Sequence, residues 1–255
     1  MMEPEHKTHD AVWEGQVIQA REARFYNRFL ASLLKPHTGS RILEIGTGIG
    51  NLTEFLIENT DSYIGIDNVD EHIRWAHERF AGRAFEGLVL DLEDSVTLQV
   101  LKEKEFDTIV SANCFEHLKD DTAVLKNLGR LSAPGTKFAF LVPAHSMLYG
   151  AMDVQAEHYR RYSRPDFIRT LENSGFTVEG SRYFNTAGAL AWFLMGKFPS
   201  GKKPAGQSNK ASSHFRLLYT GLTLLRLPLY GILKLETKIP VPFGLSLIVW
   251  GKKNS

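Results

Sequence analysis

The chain has 255 residues, 43% of them hydrophobic, and a formal net charge of +1 at neutral pH. This composition suits one large folded domain with an addition, and it excludes a disordered protein and a protein drawn to nucleic acid by overall charge. The single cysteine, Cys114, excludes an internal disulfide and a cysteine-based zinc site.

The first half of the chain predicts strands that alternate with helices. The N-terminal residues are polar and unlike a signal peptide, which favours a cytoplasmic protein. A helix is expected over residues 10–35, because apolar residues recur at helical spacing until Pro36. The alternation that follows predicts a mostly parallel sheet with helices on both faces. The predicted strands are 41–45, 62–67, 84–90, 106–111 and 137–143, and the helices between them are 51–58, 69–80, 94–103 and 120–131.

A glycine-rich loop follows the first predicted strand. Gly46, Gly48 and Gly50 occupy alternate positions, where they allow a sharp turn and a close approach of the backbone to a ligand. The helix predicted after the loop adds backbone N–H groups and a positive dipole end. A dinucleotide-binding loop is the alternative, but that pattern requires glycine at position 51, where this chain has Asn51. The acid before the glycines, Glu44, also favours a cationic ligand over a pyrophosphate.

Polar residues also end the next three predicted strands. Asp67 ends the second strand, a position from which a carboxylate accepts hydrogen bonds from both hydroxyls of a ribose. Asn68, directly after it, is placed to contact an adenine edge. Asp91 and Asn113 follow the third and fourth strands. Four strand ends in this order, each with a suitable group, predict one nucleoside-binding site.

These motifs resemble those of the class I S-adenosylmethionine (AdoMet) methyltransferases. Residues 44–50 have the pattern Glu-x-Gly-x-Gly-x-Gly and are similar to motif I of that family, and residues 112–118 are similar to motif IV of its ubiquinone- and menaquinone-biosynthesis type. Residues 157–163 resemble a bacterial subgroup, the type 11 or 12 methyltransferases. The resemblance implies AdoMet as the cofactor and an α/β, Rossmann-like sheet of seven strands with an antiparallel last strand. The cofactor contacts that it implies are Glu44, Gly46, Thr47, Gly48, Gly50, Asp67, Asn68, Asp91, Leu92 and Asn113.

Two histidines are the candidate catalytic residues. His117 follows the fourth strand, near the expected methyl group, and His158 lies in the polar loop after the fifth strand, where acceptors bind in the family. Each can act as a general base, and a hydrogen-bonded structural role is the alternative for each. Asp153, Glu157 and His158 match the spacing of no helix-borne metal motif, so no metal site is predicted. The candidate acceptor-binding residues are Tyr149, Arg160, Arg161 and Tyr162.

The last third of the chain predicts the end of the sheet and an insertion. A helix from Ser163 to about Asn173 precedes strands at 176–183 and 244–250. The connection between these strands, roughly sixty residues, is too long to be structureless, which predicts an inserted helical cap. Eight basic residues and no acidic residue fall within 180–235. Two compatible roles are open for the cap: it covers the substrate pocket, and it rests its apolar surface and basic rim on anionic lipid. Charged residues and a proline interrupt its apolar run, which argues against a membrane span.

The sequence therefore predicts four segments and one leading function. The segments are an N-terminal helical segment over the cofactor pocket (1–36), an AdoMet-binding α/β core (37–185), a basic and apolar cap (186–240) and a final core strand (241–255). The leading hypothesis is a methyltransferase that acts on a small or lipid-like, largely apolar acceptor. The alternatives are a tailoring methyltransferase for a soluble natural product and a non-catalytic AdoMet-binding regulator. Nucleic acid is not an expected substrate, and peripheral contact with a membrane is expected only through the cap.

Overall fold

The computed structural model describes residues 24–196 and 226–255, and seven strands in this part of the chain form one sheet. The strands are β1 (Arg41–Ile45), β2 (Ser62–Asp67), β3 (Phe85–Val89), β4 (Thr108–Ala112), β5 (Lys137–Pro143), β6 (Phe176–Phe184) and β7 (Ser246–Lys253). The α-helices in the same residues are α1 (Arg24–Leu34), α2 (Thr53–Leu56), α3 (Asp70–Arg79), α4 (Ser95–Lys102), α5 (Asp121–Leu131), α6 (Ala151–Gln155), α7 (Arg164–Asn173), α8 (Thr186–Gly196) and α9 (Arg226–Glu236).

The strand order of the sheet is β3-β2-β1-β4-β5-β7-β6. Strands β1 to β5 are parallel, and β7 inserts between β5 and β6, antiparallel to both. The predicted seven-stranded Rossmann-like sheet with an antiparallel last strand is confirmed. The order reverses between β1 and β4, and open α/β sheets bind their ligands outside the carboxyl ends of the strands at such a switch point. The glycine-rich loop after β1 lies at this point.

Helices bury both faces of the sheet. On one face, α4, α5 and α7 contribute the buried side chains of Leu101, Leu125 and Phe167. On the other face, α1 and α9 contribute Phe29 and Leu233. Because both sides of the central strands are covered, their sequences read as nearly continuous apolar runs.

Most predicted boundaries agree with the structure. The strands predicted at 41–45, 62–67 and 137–143 are found without change. Strand β4 begins at Thr108 rather than at 106, although the backbone of Asp107 already bonds to Arg41 of β1 and Lys137 of β5. The short helix α6 was not predicted.

Two helices of the predicted cap lie within the described residues. Glu236, at the end of α9, accepts hydrogen bonds from the backbone N–H groups of Asn185 (2.6 Å) and Thr186 (3.1 Å) at the start of α8. Helix α9 packs against α1, where the rings of Tyr230 and Phe29 meet edge to face. Residues 197–225 of the predicted cap fall outside the described residues, so contact of the cap with a membrane stays a prediction. No described helix is long and apolar enough to cross a membrane.

Candidate active site

Glu44 supports the glycine-rich loop from beneath. Its side chain is buried in β1, and one carboxylate oxygen accepts hydrogen bonds from the hydroxyls of Thr47, Thr53 and Tyr63. Burial raises the pKa of Glu44 to about 7, although the three hydroxyls act in the opposite direction. Glu44 and Thr47 were predicted as cofactor contacts, and the structure places both side chains in the interior under the loop.

The glycines of the loop meet conformational and spatial requirements. Gly46, Gly48 and Gly50 have φ values of 71°, 53° and 80°. A Cβ atom at Gly46 would lie 2.7 Å from the side chain of Cys114, and one at Gly50 would lie 2.3 Å from the ring of Phe80. All three positions therefore favour glycine for the left-handed backbone, and Gly46 and Gly50 also need the lack of a side chain.

Asp67, at the end of β2, already accepts hydrogen bonds from the protein. Its Oδ2 accepts from the backbone N–H of Gly48 (2.9 Å), and its Oδ1 accepts from that of Val69 (3.0 Å) and lies 3.0 Å from Nδ1 of His72. An ionised carboxylate has about four acceptor positions. This arrangement leaves one of them for a ligand, whereas the sequence analysis assigned both ribose hydroxyls to Asp67.

A cavity of about 130 Å³ opens where β1, β2 and β3 end. It brings together five of the predicted cofactor contacts and the candidate catalytic residue His117. Another predicted contact, Asn113, is exposed after β4 with a φ of 52° and does not line the cavity. The lining residues are Gly46, Ile66, Asp67, Asn68, Leu90, Asp91, Leu92, Glu93, Cys114, His117 and Leu118.

Glu116, His117 and His158 form a cluster beside this cavity. One possible ligand atom from each side chain, a ring nitrogen or a carboxylate oxygen, lies within 4.8 Å of the other two. The two imidazole rings meet edge to face, with their centroids 4.8 Å apart. Burial raises the pKa of Glu116 to about 7. Burial and the neighbouring His158 lower the pKa of His117 to about 4, so this imidazole is neutral at physiological pH. The fold thus joins the two predicted catalytic histidines to a carboxylate that the sequence analysis did not assign.

Asp153, fully buried in α6, orients His158. Its Oδ1 lies 3.0 Å from Nδ1 of His158 and accepts a hydrogen bond from Nε of Arg161 (2.7 Å), while its Oδ2 accepts from the backbone N–H of Gly150 (3.0 Å). Burial alone would raise the pKa of Asp153, but the bonds from His158 and Arg161 hold it below its usual value. The guanidinium of Arg161 also lies 4.5 Å from the ring centroid of Trp192 in α8.

The residues predicted to bind the acceptor have partners within the protein. Arg161 pairs with Asp153, as described above. Arg160 and Tyr162 both donate to the carboxylate of Asp121, at 2.6 and 2.7 Å. Tyr149 donates its hydroxyl to the carbonyl of His158 (2.7 Å). These contacts hold the loop after β5 in place, and a role in acceptor binding stays a prediction.

Glu44 makes the stability of the protein depend on pH. Because its pKa is raised from 4.5 to about 7 on folding, the folded state keeps a proton that the unfolded state releases. The contribution of Glu44 to the free energy of unfolding is therefore complete below pH 4.5 and is lost as the pH rises through about 7. Glutamine does not titrate, so Glu44→Gln does not share this loss. We expect the free energy of unfolding of Glu44→Gln minus that of the wild type, both measured by urea denaturation, to increase as the pH rises from 4.5 to about 7. A difference between the two proteins that does not vary with pH would contradict the assignment.

Comparison with known proteins assigns the family. Residues 18–180 match the family described as Methyltransferase domain, which is more than half of the chain. The chain belongs to this methyltransferase family. The resemblance to class I AdoMet-dependent methyltransferases is therefore confirmed, and AdoMet is the cofactor of that class.

Two relatives are similar to part of this chain. It is 32% identical over 128 residues to the uncharacterized methyltransferase YrrT of Bacillus subtilis, which is 48% of this chain and 56% of the relative. It is 26% identical over 156 residues to the ubiquinone biosynthesis O-methyltransferase of Xanthomonas euvesicatoria pv. vesicatoria, which is 55% of this chain and 64% of the relative. The chain thus spans less than two thirds of the length of either relative.

A solved structure shows the same fold. It is phosphoethanolamine N-methyltransferase 2 of Haemonchus contortus in complex with S-adenosyl-L-methionine. The TM-score is 0.60 at 19% sequence identity, and the match covers 94% of this chain and 57% of the solved one.

Two residues of the site, Glu116 and Asp153, were not predicted from the sequence. Glu116 directly precedes His117, so an acid beside a candidate catalytic histidine was the available signal. Asp153 was considered only as a metal ligand, and its contact with His158 depends on α6, which was not predicted.

Proposed function

We propose that this protein is an AdoMet-dependent methyltransferase that acts on a small or lipid-like, largely apolar acceptor. The observation that carries the proposal is the shared cavity, since Gly46, Asp67 and Asp91 line it together with His117. The nucleoside of AdoMet would bind along the first three of these residues, which lie at or just after the ends of β1, β2 and β3. The acceptor would then enter beside His117. Membership in the methyltransferase family supports this arrangement.

The protein's contribution to the reaction is alignment. Methyl transfer is an in-line displacement, in which a nucleophile on the acceptor attacks the methyl carbon as the bond from carbon to sulfur breaks. Holding the two reactants in line can lower the barrier by about 7–11 kcal/mol. His158 is fixed by Asp153 and lies against His117. We propose that His158 positions the acceptor's nucleophile.

Exposed apolar side chains support an apolar acceptor. Met147 and Tyr159, on the loop after β5, are 76% and 51% exposed, and Phe193 of α8 is 41% exposed. Helix α8 is joined to this loop because Nε1 of Trp192 donates to the carbonyl of Leu148 (3.2 Å). Exposed apolar surface beside a site is typical of a binding surface.

Calorimetric titration with AdoMet tests the cofactor half of the proposal. We expect Asp67→Ala to weaken AdoMet binding by about 2 kcal/mol, roughly 30-fold, because it removes a charged acceptor and the anchor of Gly48. Asp61→Ala is the matched control, since Asp61 is exposed directly before β2, at the opposite end of the same strand.

The outcomes of this titration separate the assignment of Asp67 from the function itself. Wild-type affinity in Asp67→Ala would remove Asp67 from the site, while a wild-type protein that binds no AdoMet would overturn the proposed function. The non-catalytic alternative predicts AdoMet binding without release of S-adenosylhomocysteine in any acceptor screen.

A further inference from the structure

Glu116 is a buried carboxyl group without a hydrogen-bond partner in the described part of the chain. Its side chain is inaccessible to solvent, and neither of its oxygens has a hydrogen-bond partner in the described part of the chain. A carboxyl group buried without a hydrogen bond costs roughly 1–3 kcal/mol when it is neutral and more when it is ionised. A buried acid of this kind therefore indicates a ligand that the protein alone does not supply.

The imidazole of His158 is held so that one nitrogen points at this carboxylate. Its Nδ1 lies 3.0 Å from Oδ1 of Asp153, and its Nε2 lies 4.0 Å from Oε1 of Glu116. A carboxylate behind one nitrogen of a histidine fixes the ring and its tautomer, and it is the usual companion of a histidine that binds a metal ion through the other nitrogen.

His117 completes a set of three donors at the edge of the cavity. Its ring meets that of His158 edge to face, and the donor atoms of all three side chains lie within 4.8 Å of one another. Donors at about 2.1 Å from a common tetrahedral ion lie about 3.4 Å apart, so closure requires side-chain movements of roughly 1 Å. His117 also lines the cavity where Asp67 and Asp91 lie, so an ion held here would face the cofactor site.

We propose that Glu116, His117 and His158 bind one divalent transition-metal ion of the Zn²⁺ type. Two imidazoles and one carboxylate are the three protein ligands of many catalytic zinc sites, which keep a further position open. The same donors discriminate against Mg²⁺ and Ca²⁺, which prefer oxygen ligands. This site differs from the combination of Asp153, Glu157 and His158 that the sequence spacing did not favour, because Asp153 orients His158 rather than binding the ion.

An ion at this site favours an acceptor that carries a hydroxyl group. This inference rests on the proposed function. An ion held by these three residues would lower the pKa of an acceptor hydroxyl bound at the open position, and the proton would pass to water. The oxygen lone pair would then form the bond to the methyl carbon while sulfur keeps the electrons of the broken bond. The products would be a methyl ether and S-adenosylhomocysteine.

Calorimetric titration with Zn²⁺ in the absence of AdoMet tests the site. The whole chain is first freed of metal with a chelator. We expect one Zn²⁺ per protein, no comparable binding of Mg²⁺, and a loss of Zn²⁺ affinity of at least about 100-fold in Glu116→Gln. Glu172→Gln is the matched control, since Glu172 is exposed near the end of α7 and should leave the affinity unchanged.

Two results would overturn the metal site: no Zn²⁺ binding by the folded wild type, or equal affinity in wild type and Glu116→Gln. If Glu116→Gln does not fold by circular dichroism, His117→Gln at the cavity wall provides the same comparison. AdoMet titrations of the same samples separate the two proposals. Zn²⁺ binding without AdoMet binding overturns the proposed function and leaves the metal site, whereas the reverse overturns only the metal site.

Discussion

Replacing Asp153 with alanine is expected to lower the free energy of unfolding by about 3–5 kcal/mol, among the largest effects of any single substitution in this protein. The side chains of Asp153 and Arg161 are 0% and 2% exposed, and the two form an ion pair at 2.7 Å. The variant leaves the guanidinium buried without its counter-charge. It also removes the acceptors of His158 and of the Gly150 N–H group.

Urea denaturation of two variants measures this effect against a control. Glu179→Ala breaks an ion pair of similar length, 3.0 Å, between Glu179 and Lys252, but these side chains are 48% and 55% exposed. Exposed pairs contribute roughly 0–1 kcal/mol, so this control should change stability little. If Asp153→Ala also costs less than about 1 kcal/mol, the ion pair does not stabilise the loop as we infer.

Replacing Gly129 with alanine is expected to destabilise the protein by about 2–3 kcal/mol, although alanine favours helices. Gly129 lies in α5, and a Cβ atom there would lie 2.0 Å from the backbone carbonyl oxygen of Ser174, directly after α7. A backbone atom cannot rotate away, so the two helices must separate.

The same substitution at Gly231, in α9, is expected to have the opposite sign. No described atom lies within 4 Å of a Cβ atom at this position. Alanine should therefore stabilise the helix by about 0.5–1 kcal/mol through its higher helix propensity. Urea denaturation of both variants provides the comparison, and destabilisation of similar size at the two positions would contradict the assigned packing.

A metal ion in the cluster would change how the site is understood. Without an ion, Glu116 is a buried acid that lacks a hydrogen-bond partner in the described residues. The site would then contribute only by aligning the two reactants. With one, Asp153 and Arg161 become the supports of a metal ligand, His158, and their burial has a functional reason.

The seven-stranded sheet, and the edge of it at which a ligand is expected, follow from local signals in the sequence. Strands β1, β2 and β5 follow from short apolar runs that end in polar or turn-forming residues, which are local signals. The positions of Gly46, Asp67 and Asp91 in one cavity follow from those strands, because parallel strands place their carboxyl ends at the same edge of a sheet.

Which side chains meet at that edge depends on how elements distant in the sequence pack together. His117 and His158 are distant in the chain, and no local pattern shows that their rings touch or that Asp153 holds one of them. Gly129 and Gly231 are the same residue in two helices, yet only one faces a backbone carbonyl. Contacts of this kind depend on how whole elements pack, and an ion pair such as that of Asp153 and Arg161 forms only after packing has removed both groups from water.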